Sequence, residues 1–84
     1  MTEADIYAAL TEIFHDCFDD KSIVLRAPTS ARDIAGWDSA KMVYLILAVE
    51  ERFAIRMRSR EIDALRCVGD WVRLIGARLS LGNE

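Results

Sequence analysis

Ile6, Leu10, Ile13, Phe14 and Cys17 stand at i, i+4, i+7, i+8 and i+11, a spacing that lays one continuous apolar face along a helix. Thr2 is placed as its N-cap, with Asp5 three residues on. A second helical pattern opens at Asp38 and runs to about Phe53. Met42, Leu45, Ile46, Val49 and Phe53 form one stripe on it; Ala40, Val43, Tyr44 and Leu47 form another on a different side. A helix apolar on two sides is either central to its fold or shows one side to a partner. In 84 residues, complete burial of a helix is hard to arrange, so display of the second stripe is expected. Ser59 is placed to cap a short helix holding Ile62 and Leu65. A last helix is expected from Asp70, after Gly69, burying Trp71, Val72, Ile75 and Leu79, with Gly82 and Asn83 ending it.

Between the first two helices the periodicity disappears, from about Asp20 to Trp37, where Pro28, Thr29, Ser30 and Gly36 are loop formers. So long a loop in so small a chain is functional or packed down by its own side chains; Val24, Leu25 and Ile34 are the expected anchors. His15 falls outside the apolar face and is expected at the solvated surface. The predicted fold is all-α: one domain over residues 1–84, a small antiparallel bundle of three main helices plus one short helix, with a long first loop.

Composition narrows the function. With 52% hydrophobic and 30% charged residues, the chain reads as folded and soluble. The longest apolar run, Met42 to Val49, is too short for a bilayer, and Thr2-Glu3-Ala4-Asp5 puts acid where a signal peptide is basic. No membrane association and a cytoplasmic location are expected. The net charge of −3 disfavours nucleic acid as a partner. The charge is uneven, with eight acids against three bases in residues 1–38 and six against eight in 39–84. Cys17 and Cys67 lack metal-ligand spacing, and one histidine leaves no zinc set; two reduced, largely buried thiols are expected. No cysteine–histidine or serine–histidine spacing and no glycine-rich phosphate loop suggests an enzyme.

One constellation has a chemical reading: Gly36-Trp37-Asp38-Ser39 at the start of the second helix. A hydroxyl in a helix's first turn lies beside unpaired N–H groups and the positive end of the dipole, which favour an attached phosphodiester. Asp-Ser at a helix start is also an ordinary cap followed by a small polar residue. The context is wider than the pair. Asp38-Ser39 precedes a long apolar helix ending in Glu50-Glu51-Arg52-Phe53-Ala54-Ile55. Arg60-Glu61-Ile62-Asp63 follows, and then Cys67-Val68-Gly69-Asp70-Trp71-Val72. This ordered set, over about residues 33–75, resembles the acyl carrier protein family, with its Asp-Ser-Leu motif, its Glu-Glu-x-Phe-x-Ile-like segment and its Thr-Val-Gly-Asp entry into the fourth helix.

The resemblance implies that Ser39 bears 4′-phosphopantetheine, moved from coenzyme A by a phosphopantetheinyl transferase. The arm's thiol, not Cys17 or Cys67, would hold an acyl or aminoacyl group as a thioester. Asp38 would cap the helix and help the transferase site. The further partners implied are a loading ligase or acyltransferase and a downstream synthase or transferase, and the expected state is a monomer. The expected partner-contacting residues are Trp37, Ala40, Lys41, Val43, Tyr44 and Leu47; the resemblance itself assigns Val43 and Leu47 to that side. The chain departs from the pattern at Ala40, where the motif has Leu, and at Lys41 and Tyr44, where fatty-acid carriers commonly place acids. Arg56, Arg58 and Arg60 make the following segment basic. A dedicated biosynthetic carrier fits these departures better than a housekeeping one. The alternative is an unmodified helical adaptor that binds through the second helix.

Overall fold

The computed structural model describes residues 1–82. It contains α1 (Glu3–Phe18), a one-turn 3-10 helix (Ala31–Asp33), α2 (Ser39–Phe53), the short α3 (Ser59–Asp63) and α4 (Val68–Gly82). Helix α1 packs against both α2 and α4. Lys41 at the start of α2 touches Cys17 near the end of α1, while Arg52 at the end of α2 pairs with Glu12, 2.8 Å apart. The two contacts run in opposite chain order, as antiparallel neighbours require.

The expected caps of α1 form. Thr2 Oγ1 accepts from the Asp5 N–H at 3.2 Å, and the Asp5 carboxylate accepts from the Thr2 N–H at 2.9 Å. That backbone donor is the main reason the Asp5 carboxyl lies below the usual range. Ile6, Leu10, Ile13, Phe14 and Cys17 are all buried. They meet Leu45, Val49 and Phe53 of α2 and Trp71, Val72 and Ile75 of α4 in one core, with Leu79 partly buried beside it. Helix α2 ends at Ala54 in the left-handed region, φ 54°. The chain then turns back, and the Glu50 carboxylate accepts from the Met57 N–H at 2.8 Å.

Four expectations need correction. His15 is half-buried, and its Nε2 donates to the Ile23 carbonyl at 2.8 Å, pinning the long loop to α1. Because that loop passes Ile23 inward, Val24 points out, 69% exposed, while Leu25 and Ile34 anchor the loop as expected. Ser59 is the first residue of α3, not its cap. Arg58 holds the cap position, where its N–H donates to Glu61 Oε1 at 2.9 Å, and Leu65 lies beyond the helix. Helix α4 begins at Val68, two residues before Asp70, because the loop supplies acceptors for its first N–H groups. Val68 donates to the Thr29 carbonyl at 2.8 Å and Gly69 to that of Ala27 at 2.9 Å. A Cβ at Gly69 would stand 3.1 Å from that Ala27 oxygen, so the close approach suits glycine. Asp70 instead reaches back to accept from the Arg66 N–H. Gly82 is still helical, and Asn83 lies outside the described residues.

Candidate functional site at the start of α2

Gly36, at φ +85°, turns the chain after the 3-10 helix in a conformation that glycine adopts without strain. Trp37 then points inward and Asp38 is extended at φ −119°, ψ −172°. Asp38 Oδ1 accepts from the Lys41 N–H at 2.9 Å, and the Asp38 carbonyl accepts from Met42 at 2.9 Å. The side chain therefore satisfies the third N–H of the first turn. Those of Ser39 and Ala40, the first two helical residues, have no intrahelical acceptor. Ser39 is exposed, and no acid lies within the first turn itself. The arrangement offers a reachable hydroxyl with two backbone donors and the positive end of the helix dipole beside it. It suits a covalently attached phosphate.

The second stripe is displayed. Val43, Tyr44 and Leu47 are 56%, 49% and 61% exposed, while Leu45 and Val49 on the core stripe have no exposed surface. Ala40 is exposed beside them. Leu47 also lines a shallow depression with Glu50, Glu51, Ala54, Ile55 and Arg56, so the apolar stripe continues into a charged rim.

Two residues expected on this face sit differently. The Trp37 ring is half-buried and packs edge-on against Phe14, with centroids 5.2 Å apart. Lys41 is half-buried: its Nζ donates to the Cys17 carbonyl at 3.0 Å and lies 5.9 Å from the centre of the Phe18 ring. It is a tie between helices more than a rim charge. The helical period places a residue on a side of its own helix but cannot show that an aliphatic stem will fold back to a neighbour's carbonyl.

Cys17 is buried beside this site and Cys67 is only half-buried, which corrects the expectation of two largely buried thiols; both are free. Burial pushes the Cys17 thiol up, partly offset by the Lys41 ammonium. Among the described residues, no group of three His, Cys, Asp or Glu side chains could hold a metal ion. No helix among them is long and apolar enough to cross a membrane.

No family model matches the chain. It is 29% identical over 75 residues to the acyl carrier protein of Acidothermus cellulolyticus, covering 89% of each protein. Its fold matches the solution structure of a holo acyl carrier protein from Geobacter metallireducens with a TM-score of 0.86. That match covers 90% of this chain and 87% of the other, at 41% sequence identity.

Proposed function

The chain belongs to the acyl carrier protein family, and from that premise we propose that Ser39 is its point of attachment for 4′-phosphopantetheine. The observation that carries the proposal is the position of Ser39: exposed, first in α2, and directly after a capping Asp38. The arm supplies a thiol that holds an acyl or aminoacyl group as a thioester. The residues of this chain hold and present it. Asp38 fixes the backbone of the first turn, which places the exposed Ser39 where a transferase can reach it. The N–H groups of Ser39 and Ala40 are the donors available to the phosphodiester, and the helix dipole favours its charge. Nothing in this assignment asks the chain to catalyse a reaction; it delivers cargo to enzymes that do.

The stripe of Ala40, Val43, Tyr44 and Leu47 is the surface on which those enzymes dock. They comprise a phosphopantetheinyl transferase that draws the arm from coenzyme A, a ligase or acyltransferase that loads the cargo, and a synthase or transferase that removes it. Ala40 in place of a larger apolar residue, with Arg56 beside Leu47 at the far end of the stripe and Arg58 and Arg60 following in sequence, supports service in a dedicated pathway. The carrier works as a monomer.

The test is intact-mass spectrometry after incubation with coenzyme A and a broad-specificity transferase. Wild type should gain one arm. Ser39→Ala should gain none while keeping its helical circular dichroism. An arm on that variant would move the site elsewhere, and an unchanged wild-type mass would favour the unmodified adaptor.

A further inference from the structure

The exposed stripe of Ala40, Val43, Tyr44 and Leu47 contains no charged residue, and the charges of α2 that flank it are engaged within the chain. Lys41 and Arg52 stand eleven residues apart, on one line of the helix that faces α1. Lys41 Nζ donates to the Cys17 carbonyl at 3.0 Å, and Arg52 pairs with Glu12 at 2.8 Å. On the other flank Glu50 is half-buried, and its carboxylate accepts from the Met57 N–H at 2.8 Å. At the Ser39 end the Asp38 carboxylate is bonded to the Lys41 N–H, so the two charges of that turn are opposite in sign. They act on the Cys17 thiol in opposite directions, Lys41 lowering its pKa and Asp38 raising it. The first charge on the stripe's own line is Glu51, one turn beyond Leu47, and Arg56 stands with it in the wall of the same depression. Arg58 and Arg60 are exposed but have no place in that wall.

We infer that the enzyme faces fitting this stripe are apolar and uncharged, so that the carrier docks by apolar contact and not by electrostatic steering; the inference rests on the stripe as the docking surface. A partner that set a charge against Val43 or Leu47 would strip it of water with no opposite charge to meet it. An apolar partner face incurs no such cost, and covering the two side chains removes their surface from water. Tyr44 suits the same partner, since its ring can be buried while its hydroxyl keeps one hydrogen bond. Steering needs unpaired charges around a contact. Here the first turn of α2 holds no acid, and its one cation is tied back to α1. At the far end Glu51 and Arg56 oppose each other across one depression, and their fields largely offset at a distance.

The experiment follows arm transfer from coenzyme A by a broad-specificity transferase, at about 0.15 M and about 0.6 M NaCl. Charges more than roughly 8 Å away are already screened at the lower concentration, so the comparison reads charges at the contact. Each variant is compared with wild type at the same salt, which cancels the enzyme's own response, and circular dichroism confirms that each is folded. Glu51→Gln, Arg56→Gln and the double variant Arg58→Gln/Arg60→Gln should keep kcat/KM within about threefold of wild type at both concentrations. Leu47→Ala and Tyr44→Ala should lower it about tenfold, through KM and equally at both. A charge-removing variant that shifts kcat/KM by more than about threefold at the lower salt would overturn the inference while leaving the stripe as the docking surface. If Leu47→Ala and Tyr44→Ala change nothing, the enzyme docks elsewhere, and the docking reading falls together with the inference. A wild-type mass that never changes defeats the attachment reading, and the inference with it.

Discussion

Lys41 Nζ donates to the backbone carbonyl of Cys17 at 3.0 Å, joining the first turn of α2 to the last turn of α1. The bond sits two residues from Ser39, so it fixes where the attachment turn lies relative to the bundle. A hydrogen bond from a charged donor contributes about 1.5–3 kcal/mol, and partial exposure brings this one to about 1 kcal/mol. Lys41→Met should therefore lower Tm by about 4–8 °C, the usual response of a domain this size. A purely rim-placed charge would leave Tm unchanged and alter only the salt dependence of docking. Thermal melts at low and high salt separate the two.

Ala54 ends α2 at φ 54°, an exposed position where a Cβ is disfavoured. The left-handed region costs an alanine about 1–2 kcal/mol, and glycine escapes that cost while losing somewhat more chain entropy on folding. Ala54→Gly should raise stability by about 0.5–1 kcal/mol. Urea titration with an unchanged m-value checks it; a loss of stability would show that the turn is not strained.

The two stripes of α2 should respond oppositely to mutation. Leu47→Glu charges a side chain that is 61% exposed and should shift stability by no more than about 0.5 kcal/mol. It should slow arm transfer or cargo loading. Phe53→Ala empties a site only 5% exposed and should cost about 3–5 kcal/mol. Equal destabilisation by both would place Leu47 in the core.

How far the sequence reveals the molecule differs by residue. The faces of α1 and α2 were legible because burial follows the helical period, and Thr2 and Asp38 because capping is local chemistry. The starts of α3 and α4 were less so. Ser59 has the right side chain for a cap, but Arg58 takes the place because Glu61 is three residues beyond it. The start of α4 depends on carbonyls of Ala27 and Thr29, remote in sequence, which no local pattern discloses. His15 has a polar ring outside the apolar face, and its role follows only from the path of Ile23. At the site, the cap made by Asp38, the placement of Ser39 in the first turn and the display of Val43, Tyr44 and Leu47 were legible. The inward turn of Trp37 was not, because an aromatic beside a helix start suits a surface or a core equally.

Acid should weaken the fold in a definite window. The carboxyls of Asp5, Asp20, Glu61 and Asp70 all lie below their usual range. For Asp70 the main cause is the Arg66 N–H, followed by the Arg73 guanidinium; for Glu61 it is the Arg58 N–H, with Arg78 adding to it. Each binds a proton less tightly folded than unfolded. Their contribution is thus complete above about pH 5 and is lost as pH falls through the lowered folded values. Tm should be flat from neutrality to about pH 5 and fall below about pH 4. Asp70→Asn should make the drop shallower; an identical acid limb would remove Asp70 from the account.

The two thiols should label at different rates. Cys17 is buried with its thiol pushed up, so little thiolate is available; Cys67 is half-buried. Iodoacetamide at neutral pH should modify Cys67 first in the native protein and both at similar rates after denaturation. Rapid native modification of Cys17 would mean that the end of α1 opens readily.

The bonds from Val68 and Gly69 to the loop carbonyls of Thr29 and Ala27 also bear on how the chain acquires its shape. Their partners are separated by roughly forty residues, and closing so large a span costs entropy before any contact returns it. Until the first two helices have met and the loop between them has settled, the opening N–H groups of the fourth helix have only water to bond to. Its start should be among the last features to form, lying on the native side of the folding barrier. Weakening it should chiefly hasten unfolding and leave the folding rate almost untouched. The persistence of the folded carrier, more than the speed with which it folds, is then governed by a pair of backbone bonds far from the serine it presents.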